Sequence, residues 1–272
     1  MRTQPPSPQV LSIIAALVEE RAGLHYRLSD QDLFADKLLA RAQEAGFESL
    51  LDYYYFLRYD DHEAVEVQRL VEALVVHETY FFRELHSLEV AIDHFVVPVH
   101  AAGRRPRIWS AACATGEEPL SVAILLAERG ILDACDLVAS DVSEQALARA
   151  RRGRYRTRSV RNDGLDLAAR HLVREGNEIV VPQRLIDAVE LRQVNLCDRA
   201  EVAAQGDFDL VICRHVLIYF AEPTVGSVVD ALADRLPIGG GLLVGISESL
   251  LRFSSRLVGE ELRGAFVYRK IE

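Results

Sequence analysis

The sequence predicts an α/β domain preceded by an all-helical N-terminal domain. Three observations carry that prediction. Up to about residue 75 the apolar residues recur only at helical spacing. After Pro98, strand-like apolar runs alternate with helical segments, the pattern of a sheet built from βαβ units. The charge balance also changes along the chain. Residues 1–95 carry 8 Lys+Arg against 17 Asp+Glu, whereas residues 96–272 carry 23 against 24.

The helical part reads as four elements. Ser7 and Pro8 open the first, whose apolar residues Val10, Ile13, Ile14, Leu17 and Val18 share a face, and Gly23 stops it. The second runs from near Gln31 to Ala45, the third from Ser49 to about Tyr59, and the fourth from about Glu63 to Val75. A linker helix is expected over 77–98, followed by the Gly/Pro/Arg stretch HAAGRRPR. In the α/β part, strands are expected at Arg107–Ala112, Leu137–Ser140, Phe208–Cys213, Gly241–Ile246 and Ala265–Arg269. Helices are expected at Glu118–Arg129, Glu144–Arg151 and Val225–Leu236. Between Tyr155 and Leu196 the alternation breaks. There EIVVP and AVELRQV suggest a β-hairpin, giving a small inserted β-subdomain at about 170–194. The expected division is thus 1–76, 77–98 and 99–272.

Composition narrows the functional classes. No apolar run approaches the roughly 20 residues that span a bilayer, and MRTQPPSPQV has no apolar stretch of a secretory signal. Cys113, Cys135, Cys197 and Cys213 form no CxxC pair and have no closely spaced histidines. Reduced thiols in a cytoplasmic protein without a metal site are expected. Arg149–Arg161 holds seven arginines and no acid, either a solvated helix end or a docking strip for an acidic partner. Nucleic acid is disfavoured by the net charge of −10 and by the lack of an aromatic platform beside the strip.

In parallel α/β sheets ligands bind at the carboxyl ends of strands, which directs attention to four segments. IWSAACATGEEP runs from a strand through a turn of small residues into a helix opened by Glu117 and Glu118. It lacks GxGxxG and GK[ST], and its acids suit a cationic ligand group better than phosphate. LVASDVS places Asp141 at the end of the second strand, where nucleoside-binding folds grip ribose hydroxyls. FDLVICRHVLIYF ends a buried strand in Cys213, Arg214 and His215, with Tyr219 beyond. VVHETYFFRE brings His77, Thr79 and Arg83 to the start of the α/β part. Each segment has a structural reading as well: helix capping, loop closure, a salt bridge, or aromatic packing.

Together these segments resemble the chemotaxis receptor methyltransferase family, CheR. HETYFFRE, WSAACATGEEPLS, ASDVS, ICRHVLIYF and PIGGGLLVGISE are similar to the family's motifs and follow in the same order, with Asn195-Leu196 between the third and fourth. The resemblance implies a Rossmann-like domain dependent on S-adenosylmethionine (SAM), with S-adenosylhomocysteine (SAH) as product. It implies methyl esterification of glutamate side chains on chemotaxis-type receptors. It also implies SAM contacts from His77, Thr79, Arg83, Glu117, Asp141, Asn195, Leu196, Cys213, Arg214 and His215, with Arg83 and Tyr219 nearest the accepting carboxylate. His77 and His215 stand where the family usually has Asn, so altered cofactor affinity is expected, and a SAM- or SAH-binding regulatory module is the alternative reading. The implied partner is the cytoplasmic helical region of a receptor, met through the Arg149–Arg161 strip by a monomer. No pentapeptide tether is expected, because His171–Leu196 is short and lacks an extra glycine-bearing loop.

Overall fold

The computed structural model describes residues 7–26, 31–161, 163–254 and 256–272. Two compact units emerge. One runs to Val76 and also takes in Ile218–Thr224; the other holds His77–Leu217 and Val225–Glu272.

The first unit packs α1 (Pro8–Ala22), α2 (Gln31–Glu44), α3 (Leu50–Tyr55) and α4 (Val65–Leu74). Gly23 ends α1 in the left-handed conformation that costs other residues steric strain, and α3 continues as a wider π-turn over Phe56–Asp60. Ile14, Phe34, Leu38, Tyr53 and Leu70 form the centre of the core. One charge is buried with them. The Glu66 carboxylate accepts two hydrogen bonds from Arg41, at 2.7 and 2.8 Å, and one from the Tyr53 hydroxyl at 2.8 Å. That pairing satisfies a carboxylate that is otherwise costly to bury.

The second unit opens with α5 (Leu85–Ala91), which continues through a π-turn at Ile92–Val96 into α6 (Val97–Ala101). Its strands and helices then follow as β1 (Arg107–Ala111), α7 (Glu117–Glu128), β2 (Asp136–Asp141) and α8 (Glu144–Arg152). The inserted segment contributes β3 (Arg154–Arg156), α9 (Leu165–His171), β4 (Val173–Glu175), β5 (Glu178–Val180) and α10 (Gln183–Asp187). The chain ends with β6 (Val189–Gln193), α11 (Arg199–Ala203), β7 (Leu210–Cys213), α12 (Glu222–Asp234), β8 (Gly241–Leu243), β9 (Leu257–Leu262) and β10 (Ala265–Lys270). The main sheet has the order β6-β2-β1-β7-β8-β10-β9. Consecutive β1 residues Ile108 and Trp109 are both fully buried, as are Leu210 and Val211 of β7. Continuous burial of this kind is what helices on both faces of a parallel sheet require.

Three expectations are corrected. AVELRQV does not pair with EIVVP. It forms β6, parallel to β2, with Val189 opposite Leu137 and Gln193 opposite Asp141. The small antiparallel sheet is instead β3-β5-β4, so its first strand lies within the arginine-rich strip. The main sheet is not wholly parallel. β9 and β10 form an antiparallel hairpin whose turn residues Arg263 and Gly264 have φ of 49° and 84°, the left-handed pair that matches strand twist in tight hairpins. The linker helix begins only at Leu85. HETYFFRE before it is not helical, and Phe82 and Glu84 there have φ of 63° and 51°.

Candidate functional site

Parallel pairing brings the carboxyl ends of three strands level. Ala111 of β1 lies opposite both Ser140 of β2 and Cys213 of β7. The Trp109 indole donates to the Ser140 hydroxyl at 2.9 Å and locks that register. Beyond β1 the chain turns through Ala112, Ala114 and Gly116, all with positive φ. Gly116 is required here, since a Cβ on it would lie 2.5 Å from the Ala150 Cβ of α8.

That turn is tied to Asp141. The Asp141 carboxylate accepts from the Ala114 amide at 2.8 Å and the Ser143 amide at 2.9 Å, one on each oxygen. Asp141 is buried, and burial pushes its carboxyl above the usual range, against the amides of Ser143, Ala114 and Val142 and the nearby charge of His77. Asn195 and Leu196 follow β6 beside it, where the Val194 amide donates to the Asp141 carbonyl at 3.1 Å. The Asn195 side-chain oxygen accepts from the Cys197 amide at 3.0 Å.

Glu117 opens α7 and is also buried. Burial raises its carboxyl, while the Thr115 hydroxyl, donating at 2.6 Å, and the Arg149 charge oppose the rise. HETYFFRE is anchored nearby. The Phe82 amide donates to the Ser121 hydroxyl at 2.9 Å, which in turn donates to the Glu117 carbonyl at 2.6 Å. Thr79 is half-buried in this segment, and the Arg83 guanidinium folds back to the Glu78 carbonyl at 3.1 Å. The ring of Tyr80 sits between Arg83 and Arg161, with the latter 4.0 Å from its centroid.

At the end of β7 the side chains face inward. Burial pushes the Cys213 thiol up, so it is held as a neutral thiol. The Arg214 side chain is 1% exposed, and its buried Nε has no hydrogen-bond partner among the described residues. The guanidinium donates to the Arg83 carbonyl at 2.6 Å, to Glu84 at 3.1 Å and to Glu118 at 3.3 Å. His215 lies with its Nε2 2.8 Å from Glu84 and its amide on Glu248. Tyr219 falls in the first unit, where its carbonyl accepts from the His25 amide at 2.8 Å.

Glu84 and Glu248 lie in quoted motifs without a role expected from the sequence, and Glu118, expected beside a cationic ligand group, is paired here with Arg214 and Ser110. Glu248 accepts from the amides of His215, Leu217 and Gly245 at 2.7, 2.9 and 2.8 Å. A carboxylate that closes a loop this way cannot be told from a surface acid by composition alone. Among the described residues there is no group of three or more His, Cys, Asp or Glu that would hold a metal ion. Nor is there a helix long and apolar enough to cross a membrane.

Comparison with known proteins agrees with this geometry. A family model described as the CheR methyltransferase SAM binding domain matches residues 77–261, and the CheR methyltransferase all-alpha domain matches residues 10–75. The chain is 32% identical over 257 residues to chemotaxis protein methyltransferase 2 of Vibrio cholerae, an alignment covering 92% of this chain and 89% of that one. It is 34% identical over 266 residues to a chemotaxis protein methyltransferase of Klebsiella aerogenes, covering 94% and 87%. It is also 34% identical over 212 residues to a probable biofilm formation methyltransferase, WspC, of Pseudomonas aeruginosa, covering 75% and 49%. With both family domains matched in order and the strand-end acids in place, the chain belongs to the CheR family of SAM-dependent methyltransferases.

Proposed function

We propose that the chain transfers a methyl group from SAM to glutamate side chains of chemotaxis-type receptors, giving glutamyl methyl esters and SAH. The observation that carries this reading is the pair of buried acids, Asp141 at the end of β2 and Glu117 at the start of α7 beyond the adjoining strand β1.

The residues fit the cofactor. The Asp141 carboxylate accepts from the Ala114 and Ser143 amides and, as a carboxylate with about four lone-pair sites, is proposed to accept from a ribose hydroxyl as well. Glu117 supplies a buried anion for an ammonium group. The small residues Ala112 and Ala114 let the backbone approach a ligand closely. His77 and Thr79 on one side, and Asn195 and Leu196 on the other, are the proposed flanking contacts, with Cys213 beneath.

When bound, SAM supplies an electrophilic methyl group on sulfur. A glutamate carboxylate is already ionised at neutral pH, so the chain needs no strong general base. Its task is to align the acceptor and exclude water. Arg83 is proposed to steer the incoming carboxylate through charge-assisted hydrogen bonds, and Tyr219 is the second proposed catalytic residue. A clamp that bound both oxygens tightly would blunt the nucleophile.

Binding is expected to depend on pH. Burial raises both Glu117 and Asp141 in the free protein, and a cationic ligand favours their ionised forms. Affinity for SAH is therefore expected to fall as pH drops through those raised values and to level off above them. Calorimetry at pH 5, 6 and 7 checks the sign; equal or tighter binding at pH 5 would count against Glu117 as the cation's partner.

The Arg149–Arg161 strip is the proposed receptor contact. Arg151, Arg154 and Arg161 are ion-paired with Glu144, with Glu175 and Glu178, and with Glu78. Arg152, Arg156 and Arg158 are exposed and have no ion-pair partner among the described residues. Reversing Arg156 and Arg158 to Glu is expected to raise the KM for receptor several-fold and leave SAH affinity unchanged. An unchanged receptor KM removes the strip from the interface.

A further inference from the structure

A buried charge cluster joins the end of β7 to the turn that carries Arg83. Glu84 sits at its centre. One Glu84 oxygen lies 2.8 Å from His215 Nε2, and the other accepts from Arg214 at 3.1 Å. Arg214 also reaches Glu118, whose other oxygen accepts from the Ser110 hydroxyl of β1 at 2.7 Å. The shortest hydrogen bond of the Arg214 guanidinium, 2.6 Å, goes to the Arg83 carbonyl.

We propose that Glu84 is a positioning residue for methyl transfer, spanning Arg214 and His215 so as to fix the backbone of Arg83. The proposal rests on the reading of Arg83 as the group that steers the acceptor.

Three features make the span specific. First, both partners of Glu84 are packed in place. The Arg214 side chain is 1% exposed. The His215 ring lies over Gly245, where a Cβ would come within 2.8 Å of the ring, and its amide is held by Glu248. Second, Phe82, Glu84 and His215 all adopt positive φ without being glycine. Such backbone persists only where the surroundings over-determine it, and the Glu84 contacts connect two of those three residues. Third, the charge is committed. Burial alone would raise the Glu84 carboxyl, but the His215 contact and the Arg214 charge hold it at about 2. Glu84 thus faces Arg214 and His215, while Glu118 and Glu248 face the same pair from α7 and from the loop after β8.

If reach is what matters, length and charge can be separated. Glu84→Asp keeps the charge but is one methylene too short to span both partners. Glu84→Gln keeps the length, with an oxygen to accept from Arg214 and an amide nitrogen that donates to His215 Nε2 once the neutral imidazole carries its proton on Nδ1. With receptor-containing membranes as substrate, Glu84→Asp is expected to lower kcat at least tenfold while its SAH Kd stays within about threefold. Glu84→Gln is expected to stay within about threefold of wild type in both. Amide hydrogen exchange of residues 81–84, which needs no turnover, is expected to speed at least tenfold in Glu84→Asp and little in Glu84→Gln. The reverse order, an active Asp variant and an inactive Gln variant, overturns the proposal in favour of charge alone. Parallel losses of kcat, SAH affinity and thermal stability in Glu84→Asp overturn it in favour of a purely structural pair. A wild-type chain inactive on receptor refutes the acceptor reading, and the exchange measurement then still decides whether Glu84 holds the turn.

Discussion

Asp141→Asn is expected to weaken SAH binding about 100-fold, roughly 2.7 kcal/mol. Both Asp141 oxygens are already held by backbone amides, from Ala114 and Ser143. Asparagine offers one acceptor oxygen, so its NH2 group must face one of those amides, donor against donor. The turn after β1 then loses an anchor, and one proposed ribose hydroxyl loses its acceptor. Hydrogen bonds to charged groups contribute about 1.5–3 kcal/mol each, so two weakened interactions account for the loss. Stability should fall less than affinity, because the substitution also removes the cost of burying a charge that the raised Asp141 carboxyl reflects. Calorimetry against SAH, with a thermal unfolding control, measures both. An affinity within threefold of wild type in a folded variant would remove Asp141 from the binding site.

Glu248→Ala is expected to produce the largest loss of stability. Its carboxylate accepts from three backbone amides, those of His215, Leu217 and Gly245, and the residue is 9% exposed. Leaving a buried donor unsatisfied costs about 1–3 kcal/mol, so the three together approach the 5–15 kcal/mol that holds a typical domain folded. Glu248→Gln retains one acceptor oxygen and should fall between. Urea denaturation orders the three proteins; an alanine variant within about 1 kcal/mol of wild type would show that water replaces the carboxylate. The loop it closes carries Arg214 and His215, so the alanine variant should also lose the contacts of Glu84.

Asp141 and Glu117 were legible in the sequence because their positions are local. A strand followed by an acid, or a small-residue turn followed by a helix, is written in consecutive residues. Pairing across the sheet is not. AVELRQV alternates as an edge strand does, and nothing within it distinguishes β2 from EIVVP as its partner. The non-helical course of HETYFFRE was hidden for the same reason. Its positive-φ residues are imposed by contacts with Ser121, Arg214 and His215, far along the chain. The buried acids Glu84, Glu118 and Glu248 stand in motifs that drew attention, but only tertiary packing separates a structural carboxylate from a ligand-binding one. Arg214 illustrates this. Its guanidinium donates to Glu84, Glu118 and the Arg83 carbonyl, partners that lie far away along the chain.

The most direct test of the central claim follows a labelled methyl group from SAM into receptor-containing membranes. The chain is expected to label the receptor in a form that alkali releases as methanol, the behaviour of a carboxyl methyl ester. Arg83→Ala and Tyr219→Phe should each slow the labelling while SAH still binds. Absence of label, or label that survives alkali as a nitrogen-bound methyl group would, contradicts glutamate as the acceptor.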